Sequence, residues 1–442
     1  MYISDKPIVT EQLNPDATAA QAPSAKLPSA IYALGLTSLL TDLSSEMVAS
    51  VLPLYLFVVL RLSPMELGVV DGLYNGATAL VRLASAYISD RAQMHKGMAM
   101  LGYGLSALSR LSLIFTGTAA WVAAWSSAWV GIAGVVLLDR IGKGIRTAPR
   151  DALIANHAPP GALARAFGVH RGMDAVGAVL GPLVATAILL YLPQRFDVVF
   201  MTSFACGMLG LLVLGGWVNT AKKQPTVPNA VQMSLKGTAT ALTSRPFLKL
   251  CAVAGILSLL TVSDNLMFLT VQQKLGFKAA YLPLLYAASG ILFMVFAPRL
   301  GRWADRYGAR RIMLWGYGAL LVSYGVLSFM PDGAGEPFTP TVHNVLLLVT
   351  FLLALGAYYA ATDGVITAFA CHQLDPNLRA TGLALIASCV SVGKMLSSFI
   401  YGYAWSVMST EHALWLFSVG LVIALAAAMY ALHGVADRAA VT

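Results

Sequence analysis

Long apolar segments alternate with short polar ones from about residue 30 to the end of the chain. A helix of about 20 apolar residues is long enough to cross the hydrocarbon core of a bilayer, so each segment predicts one membrane-spanning helix. The pattern predicts twelve spans, near residues 30–60, 66–88, 97–118, 124–156, 163–191, 196–218, 247–273, 281–299, 311–330, 343–370, 380–406 and 412–433. The predicted fold class is therefore an all-α integral membrane protein.

A polar segment between the sixth and seventh spans divides the chain into two halves. The predicted domains are a disordered cytoplasmic tail at 1–28, a six-helix bundle at 29–218, a cytoplasmic linker at 219–245, a second six-helix bundle at 246–433 and a cytoplasmic tail at 434–442. The first tail is polar and lacks the apolar core of a signal peptide.

Short motifs recur in the two halves at offsets of 214 to 220 residues. The pairs are Ser-Leu-Leu-Thr at 38–41 and 258–261, Asp-Arg at 90–91 and 305–306, and Arg-Ala-Phe-Gly at 165–168 against Arg-Ala-Thr-Gly at 379–382. Because all three pairs keep the same order relative to the spans, we predict a duplicated six-helix unit. The substrate site of such a protein lies between its halves.

The basic residues are distributed asymmetrically between the two sides of the predicted membrane. With both termini in the cytoplasm, 17 of the 29 lysines and arginines fall in cytoplasmic segments and 4 in outer loops. Cytoplasmic loops carry an excess of lysine and arginine, so this orientation is the predicted one. We expect a multi-pass protein of the plasma membrane, which in a bacterium is the inner membrane.

Composition agrees with a membrane protein and excludes several other classes. Only 11% of the residues are charged, against roughly 25% in a soluble domain. The net charge of +9 comes from basic residues in short loops, which indicate the orientation in the membrane. No nucleic-acid motif is present. The four cysteines stand singly in apolar segments, so we expect neither disulfides nor a metal site, and no cofactor.

The fourth span is unusual because it carries charges within a membrane-length apolar run. At roughly 100° per residue, its charged side chains project within an arc of about 140° of one helix face. That face comprises Asp139, Arg140, Lys143, Arg146 and Arg150. Exposing it to lipid would cost several kcal/mol per charge, so we expect it to face a protein interior or a water-filled cavity that admits an anion. The alternative is that Arg146 and Arg150 extend to the cytoplasmic surface from a helix end.

The loop after the eighth span carries the motif that connects this chain to a known family. Residues 301–311, Gly-Arg-Trp-Ala-Asp-Arg-Tyr-Gly-Ala-Arg-Arg, resemble the cytoplasmic loop signature of the major facilitator superfamily, and the resemblance covers the chain beyond its first tail. It implies two pseudo-symmetric six-helix bundles that alternate access to a central site. In the first-half copy, Ala86 stands where the family has glycine. The resemblance implies a conformational latch formed by Asp90, Arg91, Gly301, Asp305, Arg306 and Arg310.

Two further motifs bear on coupling and direction. Arg140 followed by Gly144 is similar to a family motif whose buried arginine is associated with proton-coupled members. The sequence Gly177-x-x-x-Gly181-Pro182 resembles a motif common in antiporters, although Ala185-Thr186 replaces its final glycine pair. Close helix packing explains these glycines equally well.

The first span carries Asp42 and Glu46 one helical turn apart. Two carboxylates this close repel each other when both are ionised, so one is expected to bind a proton near neutral pH. We predict a switch in which Arg140 pairs with the deprotonated carboxylate. The alternative is a static buried salt bridge. His170 and Asp174 of the fifth span complete the predicted proton-coupling group.

Polar residues of several other spans predict the substrate cavity. Its predicted members are Asp71, Asn75, Lys143, Arg146, Arg150, Asp264, Asn265, Tyr359, Asp363 and Lys394. The first half is the more highly charged, and the second contains aromatic residues. This asymmetry suits an amphipathic anion.

The function predicted from these features is secondary active transport by alternating access. No nucleotide-binding motif is present, so the energy source is expected to be a proton gradient. The first hypothesis is a monomeric exporter of an organic anion or amphipathic small molecule. The alternatives are proton-coupled uptake of an anionic metabolite or metal chelate, movement of a lysolipid between leaflets, and a non-transporting membrane sensor or enzyme. No catalytic motif supports an enzyme.

Overall fold

The computed structural model describes residues 27–92, 94–116, 118, 121, 127–159, 162–218, 244–331, 341–374, 379–433 and 435. Within these ranges, the side chains of residues 80, 82–92, 128, 163–164 and 379–381 are not described. Nearly all of the predicted tails and of the predicted linker lie outside the described residues.

Every long element in the described ranges is an α-helix. The helices are α1 (Ser29–Leu54), α2 (Pro64–Ala92), α3 (His95–Phe115), α4 (Ala128–His157), α5 (Leu163–Tyr191), α6 (Phe196–Trp217), α7 (Arg245–Leu259), α8 (Asp264–Leu275), α9 (Leu282–Tyr307), α10 (Ala309–Phe329), α11 (Val342–His372), α12 (Arg379–Val407) and α13 (Thr410–Ala431). A π-helical turn, Tyr55–Val59, extends α1. Since α7 and α8 form one broken span, Arg245–Leu275, the helices make twelve segments in the described chain.

Ten of these segments, counted over the described residues, are long and apolar enough to cross a membrane. The other two, α2 and α4, are 29 and 30 residues long but carry more polar side chains. Arg140 and Arg146 of α4 are both buried within the protein, which spares them contact with lipid. The protein is therefore a multi-pass integral membrane protein.

The helices pack as two six-span lobes. In the first lobe, α1 packs against α5 and α6, and α4 packs against α2 and α3. In the second lobe, α7 packs against α12, and α11 packs against α9 and α10. The lobes meet where α2 packs against α12 and where α5 packs against α9. This arrangement confirms the prediction of twelve spans in two pseudo-symmetric bundles.

Span 7 is interrupted between Leu259 and Asp264, where the backbone leaves the helix. The Tyr324 hydroxyl accepts a hydrogen bond from the Val262 N–H at 2.7 Å and donates one to the Leu260 carbonyl at 3.0 Å. The Ser397 hydroxyl donates to the Thr261 carbonyl at 2.7 Å. Because backbone groups inside a membrane must be satisfied by protein, these side chains stabilise the break.

The lobes touch closely on one side of the membrane. We call it the outer side, after the predicted topology; it carries the connections at 60–63 and 276–278. Here α2 and α12 cross at Gly68 and Gly402, where a Cβ on Gly68 would lie 2.5 Å from the Ser398 carbonyl oxygen. On the same side, α5 contacts the 3₁₀ turn Ala279–Tyr281. Any residue larger than glycine would therefore push the lobes apart at this crossing.

Candidate substrate cavity and coupling residues

A cavity of about 230 Å³ lies between the two lobes. It is lined by α1 and α2 on one side and by the break in span 7, α8, α9, α11 and α12 on the other. The lining residues are Glu46, Ala49, Tyr74, Asn75, Thr261, Val262, Ser263, Asp264, Asn265, Tyr286, Tyr359 and Lys394. Its wall thus combines two carboxylates, one ammonium group, two amides and three phenols.

Hydrogen bonds hold the second-lobe wall of this cavity in place. Tyr359 donates its hydroxyl proton to Asp264 Oδ1, and the Lys394 ammonium lies 5.9 Å from the Tyr359 ring centroid. Tyr286 donates to Asn265 Oδ1 at 2.7 Å, and its ring packs edge-on against Phe268. The break in span 7 is what brings Asp264 and Asn265 to the cavity surface.

The predicted cavity residues fall into two groups. Five line the cavity: Asn75, Asp264, Asn265, Tyr359 and Lys394. The other five are outside its lining: Asp71, Lys143, Arg146, Arg150 and Asp363. Asp71 is buried where the lobes meet, whereas Asp363 is exposed on α11.

The guanidinium of Arg140 is held within the first lobe. It forms an ion pair with Asp139 and stacks over the Tyr74 ring, 3.7 Å from the centroid. Arg110 of α3 approaches the other carboxylate oxygen of Asp139 at 3.5 Å. We predicted pairing of Arg140 with Asp42 or Glu46, and the structure differs because Asp139 and the Tyr74 ring occupy the guanidinium.

Arg146 occupies the position that we had expected for Arg140. Its Nη2 lies 3.9 Å from Asp42 Oδ1, and its guanidinium lies 4.5 Å from the centroid of the Tyr103 ring. Its Nη1 has no hydrogen-bond partner among the described residues. Arg150, one turn further along α4, pairs with Asp151 at 2.9 Å.

Two carboxyl groups meet between α1 and α5. Ser38 donates its hydroxyl proton to Asp174 Oδ1, and Asp42, one turn after Ser38 on α1, lies beside the Asp174 carboxyl group. Two carboxyl groups this close repel each other when both are ionised, so the pair favours holding one proton between them. His170, one turn before Asp174, is buried with no partner for its Nε2 in the described part of the chain. Glu46 lies one turn after Asp42 and lines the cavity.

The side chains of four of the six predicted latch residues belong to the described part of the chain. The side chains of Asp90 and Arg91 lie outside the described residues. Asp305 and Arg306 are exposed at the end of α9, and Arg310 donates to the Leu432 carbonyl at 2.7 Å. Gly308 joins α9 to α10 with φ of 101°, a left-handed conformation that favours glycine. Among the described residues, no atom lies within 4 Å of a Cβ built on Gly301.

The glycines of α5 lie against α1. A Cβ on Gly177 would meet the Leu39 carbonyl oxygen at 2.4 Å, and one on Gly181 would meet the Leu43 carbonyl oxygen at 2.8 Å. Pro182 is buried in the same turn. This close approach brings the carboxyl pair of α1 and α5 into contact.

Several residues of the site were not singled out from the sequence. Tyr74 and Tyr103 stack on arginines, and Ser398 bonds to Asp71. The position of Tyr74, one turn from Asp71 on the same face, was a usable signal; no comparable signal marked Tyr103 or Ser398. In the described residues, no cluster of three His, Cys, Asp or Glu side chains could hold a metal ion.

A polar cavity enclosed between two membrane-spanning lobes defines a membrane transport protein. The family model for the Major Facilitator Superfamily matches residues 34–398 and 294–440. The chain therefore belongs to the major facilitator superfamily, and it is a secondary transporter and not an enzyme.

The relatives that match most of the chain include proteins of an archaeon and of a mycobacterium. An uncharacterised MFS-type transporter of Methanocaldococcus jannaschii is 28% identical over 387 residues, covering 85% of this chain and 88% of that protein. An uncharacterised protein of Mycobacterium tuberculosis is 23% identical over 402 residues, covering 85% of this chain and 87% of that protein.

Solved transporter structures share the fold. The nucleoside transporter NupG superposes with a TM-score of 0.73 at 14% identity, over 91% of this chain and 99% of that one. The POT family transporter PepTSo gives 0.71 at 13% identity, over 93% and 99%. At these identities the likeness concerns the fold alone.

Proposed function

We propose that this transporter is driven by protons and exports an amphipathic small molecule that carries an anionic group. The observation that carries the proposal is the carboxyl pair of Asp42 and Asp174 beside Arg146. Binding or release of one proton changes the charge of this carboxyl pair. The pair and Arg146 together join α1, α4 and α5 of the first lobe. Residues Asp42, Glu46, Arg140, His170 and Asp174 are the proposed coupling group.

The carboxyl pair offers a simple coupling step. With one shared proton, Asp42 and Asp174 hold α1 against α5 by a hydrogen bond. When that proton leaves, the two carboxylates repel, and Lys143 and Arg146 of α4 are the nearby cations for Asp42. The step therefore strengthens the contact between α1 and α4 and weakens the contact between α1 and α5. Because Glu46 is one turn from Asp42, the change reaches the cavity wall.

The cavity wall supports an amphipathic substrate. Lys394 is the cationic side chain in the described lining, so we assign the anionic group of the substrate to the second lobe. Arg140 and Arg146 are engaged with Asp139 and Asp42, which argues against direct binding of the anion by α4. The rings of Tyr74, Tyr286 and Tyr359 offer apolar surface to the rest of the molecule.

Location and direction are also proposals. The excess of basic residues in the predicted cytoplasmic loops supports a plasma-membrane protein, in bacteria an inner-membrane protein, with both termini in the cytoplasm. The likeness of Gly177-x-x-x-Gly181-Pro182 to the antiporter motif supports export. In an exporter of this type, outward movement of the substrate accompanies inward movement of protons.

Flux measurements in proteoliposomes with an imposed pH gradient and an internal pH dye test the proposal. The solutes are matched anionic, zwitterionic, cationic and neutral amphipathic compounds. We expect transport of the anionic or zwitterionic members with opposite proton movement. Proton movement in the same direction would establish symport, and solute movement without protons would reject coupling.

The matched variants are Asp42→Asn and Asp174→Asn, with Asp197→Asn as the control. Asp197 is an aspartate in the first turn of α6 that pairs with Arg195 at the surface. Both variants of the carboxyl pair are expected to lose proton movement, while the control retains it. Equal proton movement in all three would show that the carboxyl pair is not the coupling site.

A further inference from the structure

Asp71 of α2 lies at the contact between the lobes and bonds to both of them. Ser398 of α12 donates to Asp71 Oδ2 at 2.5 Å, and Asn265 of α8 donates to Oδ1 at 2.6 Å. Within its own helix, Asn75 Nδ2 lies 3.1 Å from Oδ2. The Asp71 carboxyl therefore connects α2 of the first lobe with two helices of the second.

No ion pair neutralises this carboxyl group among the described residues. The titratable groups around it are Tyr74 on α2, Asp264 on α8 and Tyr286 on α9. Lys394 of α12 lies one turn before Ser398 and forms no described ion pair with Asp71. A buried carboxylate without a cation is costly, so the neutral acid suits this position better than the anion.

The hydrogen bonds can satisfy the neutral acid fully. A proton on Oδ2 points to the Ser398 oxygen, and the Ser398 hydroxyl then donates to the Lys394 carbonyl at 3.1 Å. Oδ1 continues to accept from Asn265. Protonation therefore leaves Ser398, Asn265 and Asn75 each with a hydrogen-bond partner, and it removes the charge from the contact between the lobes.

Asp71 lies among closely packed residues of α2 and α12 that must separate when the outer side opens. Gly68, Gly72 and Gly76 follow one another at four-residue spacing on α2, all against α12. A Cβ on Gly72 would lie 2.2 Å from the Phe399 ring, and one on Gly76 would lie 2.6 Å from Met395 Sδ. Opening the outer side must separate these surfaces, which exposes Asp71 to the outer solution.

We infer that Asp71 is a proton-binding gate residue: its carboxylate takes one proton from the outer solution when the lobes close on the outer side. The proton returns to that solution when the lobes reopen, and no other bond changes. Acid outside then favours the closed gate and alkali favours the open one. The inference rests on the proposed function only in using protons, and it uses neither Asp42 nor Asp174.

Distances between spin labels at Met65 on α2 and Val407 on α12 test this inference. Both positions are exposed on the outer side, 50% and 65% respectively. The labels are introduced after replacing Cys206, Cys251, Cys371 and Cys389 by serine, without added substrate. In the otherwise unchanged protein, we expect the long-distance population to grow as the pH is raised. In Asp71→Asn, which mimics the neutral acid, the short distance should persist at every pH.

Two further variants make the result specific. Glu66→Gln alters an exposed carboxylate on the same helix that bonds locally to Ser63, and it should keep the pH-dependent shift. Ser398→Ala removes the partner of the Asp71 proton, and it should enlarge the long-distance population in acid. A pH shift in Asp71→Asn equal to that of the parent protein would overturn the inference. So would a parent protein whose label distance does not change with pH.

The gate inference and the coupling proposal can be disproved independently of each other. If Asp42→Asn keeps full proton-coupled transport while Asp71→Asn locks the gate, the proposed coupling site is wrong and the gate stands. If Asp71→Asn opens and closes with pH while Asp42→Asn loses coupling, the gate inference is wrong and the coupling site stands.

Discussion

The two lobes share one fold but bury different chemistry. The first lobe encloses an ion network of Asp42, Arg110, Asp139, Arg140, Arg146 and Asp174. The second lobe encloses uncharged phenols at Tyr317, Tyr324, Tyr358 and Tyr401. Carboxyl groups exchange protons at far lower pH than phenols, whose ordinary pKa is about 10. The first lobe is therefore suited to coupling, and the second to forming a fixed wall and the break in span 7.

The largest effect is expected from removing a charge of the first lobe. Arg140→Ala leaves the partly buried Asp139 with Arg110 as its one remaining ion-pair partner among the described residues. We therefore expect a loss of about 3 kcal/mol in unfolding free energy, the lower end for a broken buried pair. Transport should be abolished. Thermal unfolding of the purified protein and solute flux in proteoliposomes measure the two effects.

Arg195→Ala is the control for that variant. Arg195 pairs with Asp197 at the surface, with its side chain 59% exposed, so its removal should leave both unfolding and flux unchanged. Wild-type flux in Arg140→Ala would contradict the importance assigned to the ion network.

A smaller effect is expected from the second lobe. Tyr324→Phe removes the hydroxyl that satisfies the Val262 N–H and the Leu260 carbonyl, at a cost of about 1–3 kcal/mol. Because no charge is lost, proton coupling should survive at a reduced transport rate. Tyr191→Phe, at the exposed end of α5, is the control. Loss of proton coupling in Tyr324→Phe would contradict the assignment of coupling to the first lobe and of a fixed wall to the second.

The boundary between the lobes provides a third comparison. Gly68→Ala introduces a Cβ 2.5 Å from the Ser398 carbonyl oxygen, so we expect the closed outer side to lose about 1–3 kcal/mol. The label distance between Met65 and Val407 should lengthen. A Cβ on Gly318 of α10 would meet no atom of the described residues within 4 Å, so Gly318→Ala should leave that distance unchanged. Equal label distances in Gly68→Ala and Gly318→Ala would show that the crossing at Gly68 does not limit closure of the outer side.

The smallest effect concerns substrate choice. Lys394→Ala removes the cation of the cavity wall, so the KM for an anionic solute should rise about tenfold, equivalent to about 1.4 kcal/mol. Transport of a neutral solute of the same size should keep its KM. An equal rise for both solutes would mean that Lys394 supports the wall and does not select the anion.

The sequence predicted the twelve spans and their approximate bounds, because each apolar segment is close to membrane length. It did not predict the break between Leu259 and Asp264. The residues there, Leu-Thr-Val-Ser, are compatible with a continuous helix, and the break is stabilised by Tyr324 and Ser397 from distant spans.

The residues of the site were easier to predict than their partners. Asp42, Arg140 and Asp174 stood out because charges are rare in spans. Their pairing depends on helix rotation, which one sequence does not specify, and so Arg146 takes the position near Asp42 that we had expected for Arg140. Asp71 bonds to Ser398, which is 327 residues away in the chain.

Comparing solute exchange with proton-driven transport in Asp42→Asn tests the central claim most directly. Exchange of labelled for unlabelled solute across proteoliposomes needs alternating access but no proton movement. We expect Asp42→Asn to keep exchange and to lose both proton movement and accumulation against a gradient. Accumulation and proton movement at wild-type levels in this variant would contradict the account that the carboxyl pair of the first lobe couples protons to transport.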